Sequence, residues 1–249
     1  MKDECDYFTL SAQHIQRNYG ARIAVYDFTL QLKKGEVLGL LGPNGAGKTT
    51  ALRMITGNLA PSSGSIEVCG VDLLGEPQKA KAHIGYLPEI PPLYLDMTVN
   101  EYLRFAARLH RIDKQRIAHA LEHCKQRCGL ADRGKQLIGT MSKGLQQRVG
   151  IAQAIIHEPD IIILDEPTVG LDPNQMREMR ALIRDLGKSR SVILSTHILS
   201  EVESVCDRVQ IMHDGRMVLN ETLAGLRQKD ADLEMEFTRL TQNPQPITH

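Results

Sequence analysis

The chain has 249 residues, 42% of them hydrophobic, with 30 basic and 30 acidic side chains and a formal charge of zero. That length and apolar content bury a full α/β core in one domain, and the charge balance offers no basic face, which argues against a nucleic-acid partner. No apolar run reaches the ~18 residues of a bilayer span, and the acidic residues 1–6 lack the apolar region of a secretory leader, so a cytoplasmic chain is expected.

Residues 6–41 alternate between β-like runs (7–10 and 24–30) and turn signals at Tyr19-Gly20 and Lys33-Lys34-Gly35. This predicts an antiparallel layer leading into a buried strand at residues 36–41. Next comes Gly42-Pro43-Asn44-Gly45-Ala46-Gly47-Lys48-Thr49, which fits the phosphate loop G-x-x-x-x-G-K-[ST] at every fixed position. Its glycines let the backbone fold tightly around phosphate oxygens, and its N–H groups and the N-terminus of the helix that Thr50 continues form an anion site. Lys48 adds charge for the β- and γ-phosphates, and the Thr49 hydroxyl is suited to hold Mg²⁺.

Pro61-Ser62-Ser63-Gly64 reads as a turn and residues 65–70 as a strand. Residues 99–156 turn mostly helical, with breaks at Gly129, Gly134 and Gly139, and interrupt the β/α alternation as an inserted subdomain. Within it, His119, His123, Cys124 and Cys128 raise the question of a metal. However, Ile117, Leu121, Cys124 and Cys128 fall on one helical stripe, which favours a core role for the two thiols. All five cysteines (5, 69, 124, 128 and 206) suit free thiols of a reducing compartment. Ser142 and Gly144 precede a helix expected over 146–156, where backbone N–H groups can receive a phosphate or Ser142 can simply cap the helix.

Residues 161–164 are a continuous apolar run ending in Asp165-Glu166, as in a central parallel strand. Ligands of open parallel sheets bind at the carboxyl ends of strands. Both carboxylates should therefore lie near the phosphate loop, Asp165 toward Mg²⁺ and Glu166 as the base that polarises water. A helix at 176–186, a strand at 191–195 and a helix at 198–206 follow. His197, just after the second strand, is a candidate sensor of the γ-phosphate. The pattern predicts an α/β fold with a mostly parallel sheet and helices on both faces.

Taken in order, these segments resemble the nucleotide-binding subunit of ATP-binding-cassette transporters over residues 7–225. The resemblance implies a P-loop NTPase (RecA-like) core at about 6–88 and 157–225, an N-terminal antiparallel layer, a helical subdomain at about 89–156 and a C-terminal tail at 226–249. It makes Gly42–Thr49 the Walker A loop, residues 161–166 the Walker B strand, Ser142 to Gln146 the signature loop, and Val169-Gly170-Leu171-Asp172 the D-loop. His197 becomes the H-switch, Tyr19 the aromatic that stacks on adenine, and Tyr86-Leu87-Pro88-Glu89 the Q-loop. Implied with these are ATP and Mg²⁺, and a head-to-tail dimer with a second copy or a paralogous subunit. A separate membrane permease is implied too, gripped by residues 90–99 and the helical insert, which puts the chain on the cytoplasmic face of the membrane.

Three positions depart from the family pattern. Glu89 replaces a glutamine and either faces the metal and water or serves as a hinge. Lys143 replaces the first signature glycine, placing a cation near the partner's γ-phosphate or in solvent. Leu145 replaces the signature glutamine. Y-L-P-E together with S-K-G resembles the branch that serves ABC-2-type exporters, and residues 233–241 resemble that branch's C-terminal segment. An importer subunit and a non-transport ATPase are the alternative readings.

Overall fold

The computed structural model describes residues 8–229 and 232–242. The acidic first residues, Cys5, Tyr7 at the onset of the first β run and the final stretch 243–249 lie outside the described residues. Strands β1 (Phe8–Tyr19), β2 (Arg22–Lys33), β4 (Ser63–Val68) and β5 (Val71–Asp72) form an antiparallel sheet in the order β2-β1-β4-β5. The turn expected at 61–64 ends early, because β4 already begins at Ser63. Gly64 sits in the strand at φ +93°, where a Cβ would lie 2.5 Å from the carbonyl oxygens of Gln13 and His14. It marks the shift in β1–β4 register between Gln13 and Gln16, so a glycine that reads as a turn in sequence is here part of a bulge.

The second sheet has the order β10-β9-β3-β8-β7-β6. It contains β3 (Val37–Leu41), β6 (Ile84–Leu87), β7 (Ile161–Asp165), β8 (Ser191–Thr196), β9 (Arg208–His213) and β10 (Arg216–Thr222). All neighbours pair in parallel except β10, which returns antiparallel along β9. The central strands are apolar throughout because both faces are covered. Ile161, Ile163 and Ile193 pack with α1 (Lys48–Ile55) and the antiparallel layer, whereas Ile162, Leu164 and Leu194 face the opposite cluster.

That opposite cluster is built from α3 (Val99–Leu109), α4 (Lys114–Arg127), α5 (Lys143–Ile155) and α6 (Pro173–Gly187). Thr98 and Glu101 form a capping box that starts α3. Ile117, Leu121, Cys124 and Cys128 are buried as the stripe predicted, and Cys124 Sγ donates to the Leu121 carbonyl at 3.3 Å. His119 and His123 stack on the exposed side of α4 with centroids 6.1 Å apart. Helix α5 begins at Lys143, three residues before the expected Gln146, because Ser142 already caps it by accepting from the Leu145 N–H. Residues 99–156 share one apolar cluster with α6 and the sheet, so the insert is marked in topology without a break in packing.

A third cluster gathers Leu41, Val202 of α7 (Leu199–Val205), Val209 and Ile211 with Leu223 and Leu226 of α8 (Leu223–Gln228). Helix α9 (Leu233–Gln242) adds Leu233, Phe237 and Leu240, so the segment expected as a tail from 226 onward packs against the sheet over its described length. Among the described residues no helix is long and apolar enough to cross a membrane.

Candidate functional site: a phosphate-loop cleft

The loop between β3 and α1 opens at the carboxyl ends of β3, β7 and β8, which the parallel pairing brings side by side. Its geometry depends on two glycines. Gly47 precedes α1 at φ +102°, and a Cβ on Gly42 would lie 2.4 Å from the Met212 carbonyl oxygen. The N–H groups of Gly45–Thr49 therefore ring the start of a helix with no side-chain bulk at the tightest approach.

Residues 44–50, Glu89, Glu166 and His197 line one cleft of about 770 Å³. Lys48 is buried beneath it. Its Nζ donates to the carbonyls of Gly42 at 2.7 Å and Pro43 at 3.3 Å and lies 3.5 Å from Glu166 Oε1. Glu166 holds φ +50°, unusual for a residue with a side chain, and its N–H is fixed by the Ser195 carbonyl at 2.9 Å. Its Oε2 lies 2.9 Å from His197 Nδ1. One buried carboxylate is thus flanked by an ammonium on one oxygen and an imidazole on the other.

Asp165 ends β7 with no exposed surface, and neither of its oxygens has a hydrogen-bond partner. Burial pushes its carboxyl up from the ordinary range. The nearby Ser195 and Thr49 hydroxyls and Lys48 oppose that rise only in part, and the charge of Glu89 adds to it. Two orphaned buried oxygens beside the Thr49 hydroxyl, with the Glu89 carboxylate lining the same cleft, form an all-oxygen donor set that fits Mg²⁺.

Sequence reasoning missed Glu201. Its carboxylate is fully buried at the start of α7 and accepts from Thr168, two residues after Glu166, and from Thr196 at 2.7 Å, next to His197. It ties the segment that leaves Glu166 to the one that presents His197. The only sequence signal is an acidic residue in the first turn after a histidine, which reads as an ordinary helix start.

Other expected residues stay apart from this cleft. Ser142 and Gly144 line a separate small pocket with Leu171 and Gln175. Asp172 caps α6, accepting from the N–H groups of Asn174 and Gln175 at 2.9 Å. Lys143 Nζ lies against Gly170, so this cation belongs to a contact between two segments of one chain, the start of α5 and the residues before α6. Leu145 packs onto the helical core in place of a polar contact. Tyr19 is half exposed at the end of β1, with the Arg17 guanidinium 4.8 Å over its ring. It pairs with Arg22, which does line the cleft beside Ala24 and Tyr26.

The family of proteins described as ABC transporter matches residues 25–169. The chain is 40% identical over 220 residues to the ABC transporter ATP-binding protein YxlF of Bacillus subtilis, covering 88% of this chain and 73% of that protein. It is 37% identical over 231 residues to the bacitracin transport ATP-binding protein BcrA of Bacillus licheniformis, covering 92% and 74%. Among solved structures, cbiO1 of Clostridium perfringens, part of the ABC transporter complex cbiONQ, superposes with a TM-score of 0.81 at 27% identity over 94% of this chain and 95% of that one. An ATP binding subunit of an ABC transporter superposes with a TM-score of 0.83 at 32% identity over 93% and 99%.

Proposed function

The chain belongs to the ABC transporter family as an ATP-binding, ATP-hydrolysing subunit, and on that premise we propose that two such chains pair head to tail and drive a membrane exporter. The observation that carries this reading is the Glu166 carboxylate, held between Lys48 and His197 in the phosphate-loop cleft, while Ser142 and Gly144 face elsewhere. A cleft that lacks its signature loop within one chain gains it from a second, and isologous pairing supplies it twice.

In this mechanism the loop amides of Gly42–Thr49 bind the triphosphate, and Lys48 exchanges its carbonyl partners for phosphate oxygens. Thr50 extends the helix start beneath them. Tyr19 stacks on the adenine with the ring face that Arg17 leaves open. Thr49, Asp165 and Glu89 would hold Mg²⁺, which when bound would neutralise charge on the phosphates and offset the cost of burying Asp165. Glu166 accepts a proton from the attacking water, and His197 orients that carboxylate through Nδ1. The partner's Ser142 and Gly144, with Asp172 behind them, close on the γ-phosphate at the N-terminus of α5. Loss of that phosphate removes the charge that bridges the two chains.

Work is delivered at a second surface. Ile90 is 82% exposed, and with Pro91, Leu93 and Leu95 it walls an apolar groove against α5 that has Glu89 at its rim. Its occupant is a short helix of the permease, which keeps the subunit on the cytoplasmic face of the membrane. Because Glu89 lines both the cleft and the groove, it can carry nucleotide state to the permease. The bacitracin transport relative, the linearmycin resistance protein LnrL (39% identical) and the Nod factor export protein I (34% identical) support the exporter reading.

Glu166→Gln tests the assignment. It retains ATP, loses turnover by about 10²–10⁴, and elutes as a dimer only when ATP is present. Turnover at the native rate would remove Glu166 from the role of base.

A further inference from the structure

A second cluster of chemistry lies at the other end of the sheet, remote from the nucleotide cleft. Cys69, His83 and Asp160 each present a ligand atom, and these atoms lie within 4.8 Å of one another. It is the one such group of three among the described residues. We infer that Cys69, His83 and Asp160 form a binding site for a borderline-soft divalent transition-metal ion of the Zn²⁺ class, with a fourth position open to water.

The three ligands come from three different elements. Cys69 occupies the two-residue turn between β4 and β5, His83 closes α2 (Pro77–Ala82), and Asp160 immediately precedes β7. Backbone hydrogen bonds fix each of them. Cys69 N–H donates to Thr9 O at 2.9 Å, Ile161 N–H to His83 O at 3.0 Å, and Ser191 N–H to Asp160 O at 3.1 Å. Such a site is preorganised by the fold and closes without moving a strand.

The donor chemistry selects the ion. One sulfur, one imidazole nitrogen and one carboxylate oxygen suit tetrahedral Zn²⁺ far better than the hard, all-oxygen shell of Mg²⁺. Metal–ligand bonds of about 2.0–2.3 Å place tetrahedral donors roughly 3.3–3.8 Å apart, so atoms within 4.8 Å close by a small rotation of the side chains. His83 Nδ1 and Asp160 Oδ2 now share a hydrogen bond of 2.6 Å. Ligation through Nδ1 leaves the neutral ring's proton on Nε2, and the thiol proton leaves to solvent.

Two further features agree. Cys69 adopts φ +50° and Gly70 φ +78°, a turn in which asparagine or glycine is the ordinary occupant of the first position. Asp160 places a carboxylate charge within reach of the Cys69 sulfur. The same negative potential attracts a cation. The ion would clip the antiparallel layer to the amino ends of β6 and β7, a strand's length from the carboxylates of the cleft.

Titration of the full chain with Co²⁺ tests the site. The wild-type protein should bind Co²⁺ with a sulfur-to-cobalt charge-transfer band and tetrahedral d–d absorption, and Zn²⁺ should displace it at one equivalent. Cys69→Ser should lose the charge-transfer band, and Asp160→Asn should lower affinity by about 10–100-fold. Native ATP turnover in Cys69→Ser shows that the variant is folded. A charge-transfer band that survives Cys69→Ser, or no such band in the wild type, overturns the inference.

Discussion

Asp165 and Tyr19, neither of which lines the cleft itself, sit in contrasting surroundings, one buried and one half exposed. Asp165 is buried without a hydrogen-bond partner, and its raised carboxyl means that ionising it costs the folded chain stability as pH rises above the ordinary carboxylate range. Without nucleotide and Mg²⁺, Asp165→Asn removes that cost and raises the melting midpoint by about 2–4 °C, the equivalent of roughly 1 kcal/mol for a chain of this size. The same variant loses Mg²⁺-dependent turnover. A lowered midpoint in differential scanning would show that the carboxylate is satisfied in solution. Tyr19 carries a different load. If the base stacks on its ring, Tyr19→Ala weakens ATP by roughly 1–3 kcal/mol and leaves inorganic triphosphate untouched. Equal losses for the two ligands in calorimetry would assign the ring to the loop instead.

Among the elements, those that bury both faces were the most legible. Residues 36–41 and 161–164 declare themselves as strands because neither face of the sheet meets water, and the stripe on α4 declares its buried thiols. Legibility ends where partners come from distant segments. Nothing local announces that Glu201 gathers Thr168 and Thr196, or that Gly64 serves a bulge opposed to His14. The pairing of the helix-end histidines is equally silent. His157, just beyond α5, stacks on His110, just beyond α3, with centroids 3.8 Å apart, and sets its Nε2 3.1 Å from the Ile84 carbonyl oxygen. Burial first, and then His110, lower its imidazole to about 4. The unfolded chain therefore binds a proton that the folded chain refuses between pH 6.5 and about 4. The resulting contribution to stability is complete above pH 6.5 and drains away as pH falls to about 4, by roughly 3 kcal/mol. In urea titrations across that window, His157→Gln should lose less stability than the wild type on acidification. Parallel losses would mean that this ring does not titrate.

At the scale of the whole molecule, the phosphate-loop motif was readable to the residue, whereas the expectation of a site shared by two chains rests on resemblance alone. One chain presents Lys48, Thr49 and Glu166 in one cleft and Ser142 and Gly144 in another. No periodicity or spacing encodes that separation, because it depends on how α5 and α6 pack against the sheet. The apolar groove at Ile90 shares Glu89 with the first cleft. On the proposed head-to-tail pairing, turnover is a property of two chains. The most direct test is Mg-ATPase specific activity over a dilution series of the purified chain, read beside its elution volume. Specific activity should rise with concentration and level off as dimer fills. Constant specific activity, down to dilutions at which only monomer elutes, would contradict it.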